Sequence, residues 1–505
     1  MSFQGSSRNP VMVSVVLLAL TTVAAGQQAA TESTEARLLQ LEKEVVRFRE
    51  ENQRQRIEIA SQSSVLQTLL SQRQPSADTS VLPSAHGHSS VAQEVEVEPA
   101  DELWPLAPGM GQWQLRLQRL ETNVDQLQDS LSVSLLDREW SATITGALIG
   151  EMIFSEQRPV IPSAIVLISP DFGRDTPTVD IHGKSSKIGV LFRGPDFLEL
   201  QTGGALLAYL FGEQFLADVA GINLLGGYFE LRNERWRFLF GRAGDLINPR
   251  RPGTIDINAG RNAGNLGFSR GQFRVERYLR PNPHTQITAQ FSLCNPIATA
   301  YEGNLANVVE DNGWPLLEGR MVFGAGPVAT KYGIETRRFE FGASGVLGQL
   351  RSTVPRDSRS LDVWLFGFDA KADLTEYCGV QAEFFHGQAL GNLNGGILQI
   401  INPYTLEEVR TTGGWCDFHI DLTERVRSSF GFGIDNPLDS TLAPGQPTQN
   451  AFVFANLVFD LTKSVEVGFE IARWDTDYMP SLAPGDRGPG DNAAMIYRTR
   501  VVGRF

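Results

Sequence analysis

From Trp140 to the C-terminus, apolar and polar residues alternate with a period of two in one segment after another. Near the end of the chain, for example, Val465, Val467, Phe469 and Ile471 alternate with small or charged residues. Successive side chains of a β-strand point to opposite faces, so the pattern predicts strands with one apolar and one polar face. A soluble sandwich and a membrane barrel share this alternation, and other features must separate the two.

The connections between these segments are of two kinds, which alternate over the C-terminal half. Short connections lie at 232–235 and 280–284 and at an Asp-Leu-Thr sequence that occurs three times, at 373–375, 421–423 and 460–462. Long connections rich in Gly, Pro and Asn cover about 155–184, 246–268, 294–318, 387–411, 434–450 and 475–493. Outer-membrane barrels alternate short periplasmic turns with long outer loops in this way.

Sixteen strand segments are predicted, an even number that suits a bacterial single-chain barrel and places both barrel ends in the periplasm. They cover about 139–153, 185–193, 197–210, 222–232, 235–244, 270–280, 284–293, 319–326, 333–347, 360–372, 376–386, 412–422, 425–433, 450–460, 464–474 and 494–505. The predicted fold is therefore an all-β transmembrane barrel of about sixteen antiparallel strands, preceded by an N-terminal α-helical coiled coil.

The last strand segment ends in an aromatic residue. Tyr497, Val501 and Phe505 share one face of it. A terminal Phe on an alternating strand resembles the signature by which outer-membrane barrels are recognised for assembly, so the barrel assembly machinery and outer-membrane lipid are predicted partners.

Composition excludes two broad classes. The chain has 505 residues and a formal net charge of −14. After the N-terminus it has no apolar run of 18 residues, which argues against a multi-helix membrane protein. The acidic balance argues against a general nucleic-acid binder, which would show a basic patch.

The first 138 residues divide into four predicted segments. Residues 1–26 have the basic start, apolar run and small residues of a secretory signal peptide; the alternative is a membrane anchor. Apolar heptads at 35–73 predict a periplasmic coiled coil rather than a lone amphipathic helix. A Pro- and Gly-rich acidic linker follows at 74–112, and 113–137 is a second short coiled-coil helix before the barrel at 139–505.

One block of the barrel resembles a known family. The sequence from Phe240 to Asp256, together with 264–274, resembles the strand–loop–strand block of DcaP-like trimeric porins and of their relatives, the phosphate-selective porins O and P. Arg242 stands where that family usually has Gln. The resemblance implies a homotrimer of water-filled barrels with its stalk in the periplasm.

Charged residues are predicted to face the interior of this barrel. We expect the loop 246–268 to fold inward and narrow the passage with Arg250, Arg251 and Arg261 against Asp256. Alternation adds the lumen-facing candidates Arg274, Glu276, Arg425, Arg427, Arg498, Arg500 and Arg504. An Arg at the lipid midplane would cost roughly 2–4 kcal/mol, which favours the water side for these side chains.

A positive constriction would attract anions, so the sequence predicts a channel for small hydrophilic, mainly anionic solutes. In the opposing interpretation, the arginines pair with Asp and Glu across the lumen and only stiffen the barrel. A structural alternative is an envelope tether that anchors the stalk through a non-conducting barrel. No enzyme is predicted, because no histidine of the barrel lies in a nucleophile motif, and no metal site or cofactor is implied.

Overall fold

The computed structural model describes residues 140–171, 173, 175–211, 220–297, 309–331, 334–353, 359–480 and 490–505. These residues form a closed barrel of antiparallel strands. The first strand, β1 (Ser141–Ser155), pairs with the last, β18 (Asn492–Arg504), and this pairing closes the barrel. The predicted signal peptide, coiled coil, linker and second helix lie outside the described residues.

Eighteen strand segments build the barrel. Between β1 and β18 they are β2 (Thr178–His182), β3 (Lys187–Arg193), β4 (Gln201–Phe211), β5 (Ala220–Arg232), β6 (Trp236–Gly244), β7 (Ser269–Asn282), β8 (Thr285–Cys294), β9 (Val309–Asp311), β10 (Leu316–Lys331), β11 (Ile334–Ser352), β12 (Ser360–Asp373), β13 (Cys378–Gln388), β14 (Arg410–Thr423), β15 (Val426–Pro437), β16 (Pro447–Asp460) and β17 (Val465–Tyr478). Short 3-10 turns occur at Gly391–Leu393, Gly396–Leu398 and Asp439–Thr441.

The eighteen segments form sixteen barrel strands, because two strands are interrupted. β2 and β3 both pair with β1, and β9 and β10 both pair with β11. At the first interruption the Ser186 hydroxyl replaces the missing backbone partner, because it accepts from the Ile149 N–H at 2.9 Å and donates to the Ile149 carbonyl at 3.2 Å. The predicted count of sixteen is confirmed.

The repeated Asp-Leu-Thr sequence closes three of the short turns by the same contact. The hydroxyl oxygens of Thr375, Thr423 and Thr462 each accept hydrogen bonds from the backbone N–H groups two and three residues further on, at 2.9–3.2 Å. A short hydroxyl side chain can make this local bond, which fixes a turn without a backbone partner. The repeat is therefore a turn signal that ends one strand and begins the next.

The two faces of the wall differ in chemistry. Large apolar side chains cover the outside, among them Phe240, Phe341, Phe432, Val453 and Phe469, each at least half exposed. Buried acidic and basic side chains line the inside. A soluble monomer rarely exposes so large an apolar area, whereas lipid accepts it. Among the described residues, no helix is long and apolar enough to cross a membrane.

The terminal aromatic residue covers the seam between the first and last strands. The Phe505 backbone N–H and carbonyl bond to the Gly146 backbone at 3.2 and 2.9 Å. The Phe505 ring lies so close over Gly146 that a Cβ there would collide with it. Tyr497 and Val501 are exposed on the same outer face. These three residues were singled out as the assembly signal, and that role stays a prediction.

Candidate functional site

The connection between β6 and β7, residues 245–268 (the inward loop), crosses the barrel interior. Four of its backbone N–H groups donate hydrogen bonds of 2.7–2.8 Å to carboxylates on the wall strands β10, β13, β14 and β17. The donor–acceptor pairs are Leu246–Glu318, Arg250–Glu383, Gly253–Asp417 and Ile255–Glu470. A carboxylate accepts a backbone N–H more strongly than a neutral oxygen does, so these four side chains fix the course of the loop.

Glycines on both sides allow the loop to lie directly against the wall. Gly264 has a φ of +104°, and a Cβ there would collide with the carbonyl of Gly414 on β14. A Cβ at Gly433 on β15 would collide with the carbonyl of Ala263. The backbones of loop and wall are therefore in contact, which side chains at these positions would prevent.

Two further connections fold inward beside the loop. Ile165 and Ile168 of the β1–β2 connection pack with Phe454 and Trp474 in one buried apolar cluster. Residues 389–409, between β13 and β14, contribute buried leucines and isoleucines to a second cluster, which includes Leu266 of the inward loop. Together the three connections pack against the inner face of strands between β9 and β18.

Two of the four loop residues proposed for a constriction, Arg250 and Asp256, form ion pairs with the wall strands. Arg250 is buried and its guanidinium bonds to Asp369 at 2.9 Å and to Glu340 at 3.1 Å. Asp256 forms an ion pair with Arg498 of β18 at 3.1 Å. Both charges are therefore compensated by partners on the wall strands and contribute little to the electric field in the barrel interior.

The arginines proposed for the last strand and for β15 lie inside the barrel in ion pairs. Arg500 and Arg504 both pair with Glu466, at 3.1 and 2.7 Å, and Arg427 pairs with Glu466 and with Asp460, the latter at 2.8 Å. These ion pairs join the neighbouring strands β15–β18 along the wall, so the charges are compensated there without pairing across the lumen.

The other wall candidates differ among themselves. Arg274 and Glu276 are buried on the inner face of β7, 3.5 Å apart, and Glu276 also pairs with Arg237 at 3.5 Å. Arg425 was expected on an inner strand face, but it lies exposed in the turn between β14 and β15. The correction follows from the Asp-Leu-Thr turn, since the Thr423 hydroxyl bonds to the N–H of Arg425 and holds it outside the strand.

A cavity lies between the inward loop and the inner face of β4–β6, and we call it the arginine cavity. Arg251 and Arg261 reach it from the loop, Arg242 reaches it from β6, and Arg250 completes the basic part of its lining. Its empty volume is about 720 Å³, part of which is open to solvent. The one acidic residue among the described lining residues is Asp245, whose carboxylate bonds to Arg270 at 2.7 Å.

The loop arginines of this cavity are held in defined positions. The Arg251 guanidinium donates to the carbonyls of Asp256 at 2.8 Å and Ile257 at 2.7 Å. The Arg261 guanidinium carbon lies 5.7 Å from the centroid of the Phe268 ring, which suits a cation–π contact. Burial, and then the positive charge of Arg261, lowers the pKa of the Arg251 side chain, as expected for neighbouring like charges in a confined space.

Sequence reasoning missed two parts of this site. Arg242 was noted only as a departure from the family pattern, although its placement on β6, just before the loop, could have suggested a lumen position. The wall carboxylates Glu318, Glu383, Asp417 and Glu470 were not selected, and their inward register was available from the strand alternation. Their partners are backbone N–H groups of a distant loop, which carry no sequence signal.

Comparisons with known proteins bear on the fold. No family model and no curated protein matches the chain. The outer-membrane channel DcaP of Acinetobacter baumannii is similar in structure, with a TM-score of 0.57 and 13% sequence identity over 74% of this chain and 100% of that chain. The barrel has the fold of that channel. An anion-selective porin from Comamonas acidovorans has a TM-score of 0.48 and 11% identity, over 73% of this chain and 100% of its own.

The resemblance read from the block at 240–274 is thus confirmed at the level of the DcaP-like porin fold.

Proposed function

We propose that this chain is an outer-membrane porin of the DcaP-like type, with a water-filled channel through which small hydrophilic, mainly anionic solutes diffuse. The observation that carries the proposal is the distribution of its arginines. Those against β11–β18 pair with carboxylates at 2.7–3.4 Å. The described lining of the arginine cavity holds Arg242, Arg250, Arg251 and Arg261 but one acidic residue, Asp245, so basic residues outnumber acidic ones there.

The described lining of the arginine cavity carries more arginines than carboxylates. In a narrow space bounded by protein of low dielectric constant, the field of such an excess of like charges is focused along the passage. Anions are concentrated there and cations are repelled, while the paired charges behind the loop contribute only short-range fields. This arrangement supports the anion hypothesis at Arg251 and Arg261 and the stiffening hypothesis at the arginines of β15 and β18.

The proposal includes an assembly and a location. The apolar outer face and the DcaP-like fold support insertion in an outer membrane with lipid around the barrel, aided by the barrel assembly machinery. A homotrimer is proposed, with residues 35–73 and 113–137 as a periplasmic coiled-coil stalk joined by the linker 74–112, after removal of residues 1–26. We propose no catalytic activity.

The test is the reversal potential of the purified protein in a planar bilayer under a KCl gradient. We expect an anion-selective current, and we expect the double variant Arg251→Gln/Arg261→Gln to lose most of that selectivity. Arg473→Gln removes one positive charge from the outer face, where Arg473 is exposed beside Asp475, and it serves as the matched control.

Two outcomes would contradict the proposal. Cation selectivity of the unmodified protein would refute the anion hypothesis. Absence of any conductance from correctly assembled barrels would instead support the tether.

A further inference from the structure

A separate group of positive charges lies at the outer rim of the barrel, at the end closed by the short turns. Arg235 is exposed in the connection between β5 and β6, and Arg277 of β7 lies directly opposite Trp236, with which β6 begins. Arg277, Val275 and Phe273 alternate with the buried side chains of the inner face, so Arg277 points outward. It is therefore on the opposite side of the wall from the arginine cavity.

The Arg277 guanidinium is held by an aromatic ring and not by a carboxylate. Its central carbon lies 4.5 Å from the centroid of the Trp236 ring, and a terminal nitrogen donates to the Arg235 carbonyl at 3.5 Å. Neither Arg235 nor Arg277 forms an ion pair with a carboxylate of the described residues, and this includes Glu234 of the same turn. Both positive charges are therefore available to a ligand.

An apolar surface runs from this rim along the outer face of the wall. The Trp236 and Phe238 rings stack with their centroids 6.0 Å apart, and the next outward residue of β6, Phe240, is 68% exposed. Phe273 of β7 lies opposite Phe240 and is also exposed. Trp236 and Phe240 are about 13 Å apart along a strand. A ligand that fits both parts needs an anionic head at the arginines and an apolar chain along β6.

We propose that Arg235, Arg277 and Trp236 bind the phosphodiester headgroup of an anionic phospholipid in the periplasmic leaflet of the outer membrane. The guanidinium donors would bond to the phosphate oxygens, and one acyl chain would cover Phe238 and Phe240. Aromatic girdles of outer-membrane barrels lie at the boundary between lipid and water, where lipid headgroups are found. The proposal rests on the membrane location and orientation in the proposed function, and it does not depend on anion selectivity.

The expected consequence is that phosphatidylglycerol accumulates at Trp236 beyond its share of the bilayer. One arginine near a membrane surface changes the binding of an anionic lipid by about fivefold. Arg277→Gln should therefore lower the preference for phosphatidylglycerol over phosphatidylcholine by about fivefold, whereas Arg277→Lys keeps the charge and should retain most of the preference. High salt should weaken the preference, because it screens exposed charges.

The experiment is quenching of tryptophan fluorescence in the full chain, reconstituted in phosphatidylcholine vesicles that contain a small fraction of brominated lipid. The brominated lipid is phosphatidylglycerol in one series and phosphatidylcholine in the other. Trp236→Phe identifies the quenching that is due to Trp236, because it removes only this fluorophore. Arg473→Gln is the matched control, since Arg473 of the outer face already pairs with Asp475 at 2.7 Å, and it should leave the preference unchanged. Glycerol phosphate in solution has the phosphate without acyl chains and should not relieve the quenching.

The outcomes separate the two proposals. Stronger quenching of Trp236 by phosphatidylglycerol, reduced in Arg277→Gln, would support the lipid site. Equal quenching by the two lipids would refute it, and so would relief of the quenching by glycerol phosphate. A changed oligomeric state of Arg277→Gln with an unchanged lipid preference would place Arg277 in a contact between copies and refute the lipid site as well. Failure of the chain to insert into vesicles would refute the membrane location itself, whereas absence of the lipid preference alone leaves the porin proposal intact.

Discussion

Replacement of Glu470 by alanine should release the tip of the inward loop, Thr254 and Ile255, from the barrel wall. The Glu470 carboxylate accepts hydrogen bonds from the Thr254 hydroxyl and the Ile255 N–H, both at 2.7 Å, and from the Asn456 amide at 3.2 Å. Arg498 lies 3.4 Å away and keeps its second partner, Asp256, in the variant. The substitution therefore removes two short bonds that join loop to wall, without leaving the nearby arginine unpaired.

The size of the effect follows from those two bonds. A hydrogen bond to a charged acceptor contributes about 1.5–3 kcal/mol, and neighbouring bonds are not fully additive. Loss of both should destabilise the state in which the loop tip is bound to the wall by about 3–4 kcal/mol. The ratio of wall-bound to released tip then falls by about 100- to 1000-fold. Released tips widen the passage, so we expect a larger single-channel conductance with frequent transitions between levels.

The assay is single-channel recording of wild type, Glu470→Ala and Glu470→Gln, with limited trypsin digestion of the assembled barrels as a second measurement. The loop contains tryptic sites after Arg250 and Arg261, and a released tip should be cut there faster. Glu470→Gln keeps one oxygen acceptor at the same place and should lie between the other two. Equal conductance, noise and digestion rate in wild type and Glu470→Ala would refute the view that this carboxylate holds the loop.

Three other substitutions test the loop–wall contact, a buried ion pair and the terminal aromatic residue. Gly264→Ala should displace the loop, because the new Cβ would collide with the Gly414 carbonyl and a φ of +104° is unfavourable for alanine. Trypsin should then cleave the displaced loop faster, and an unchanged cleavage rate would count against the close contact. Arg270→Leu leaves the Asp245 carboxylate buried without its arginine partner. It should lower the free energy of unfolding in guanidinium chloride by about 3–5 kcal/mol, and a decrease below about 1 kcal/mol would contradict a stabilising buried pair. Phe505→Ala should lower the yield of heat-modifiable barrel in the outer membrane, and a wild-type yield would remove the assembly role of that ring.

Much of the barrel could be predicted because its strands and turns are specified by residues close together in the sequence. Every predicted strand segment overlaps an observed strand, and the Asp-Leu-Thr turns fall where the sequence indicated, since alternation and turn chemistry act over a few residues. The interruptions of β2/β3 and β9/β10 were missed. They depend on how neighbouring strands align. At the first interruption, for example, the Ser186 hydroxyl accepts a hydrogen bond from the Ile149 N–H in place of a strand partner.

The sequence by itself determined the barrel, the parity of its strands and, except for Arg425 in a turn, which of the selected wall residues face inward. It could not determine which inward charges stay uncompensated, because that depends on pairs distant in the chain. Arg250 and Arg251 are adjacent in sequence and both line the cavity, yet the Arg250 guanidinium pairs with the Asp369 and Glu340 carboxylates while the Arg251 guanidinium bonds to backbone carbonyls of the loop. Only the tertiary structure separates them, since it decides which side of the loop lies against the wall, and the range of a charge in a low-dielectric interior depends on what lies within a few ångströms of it.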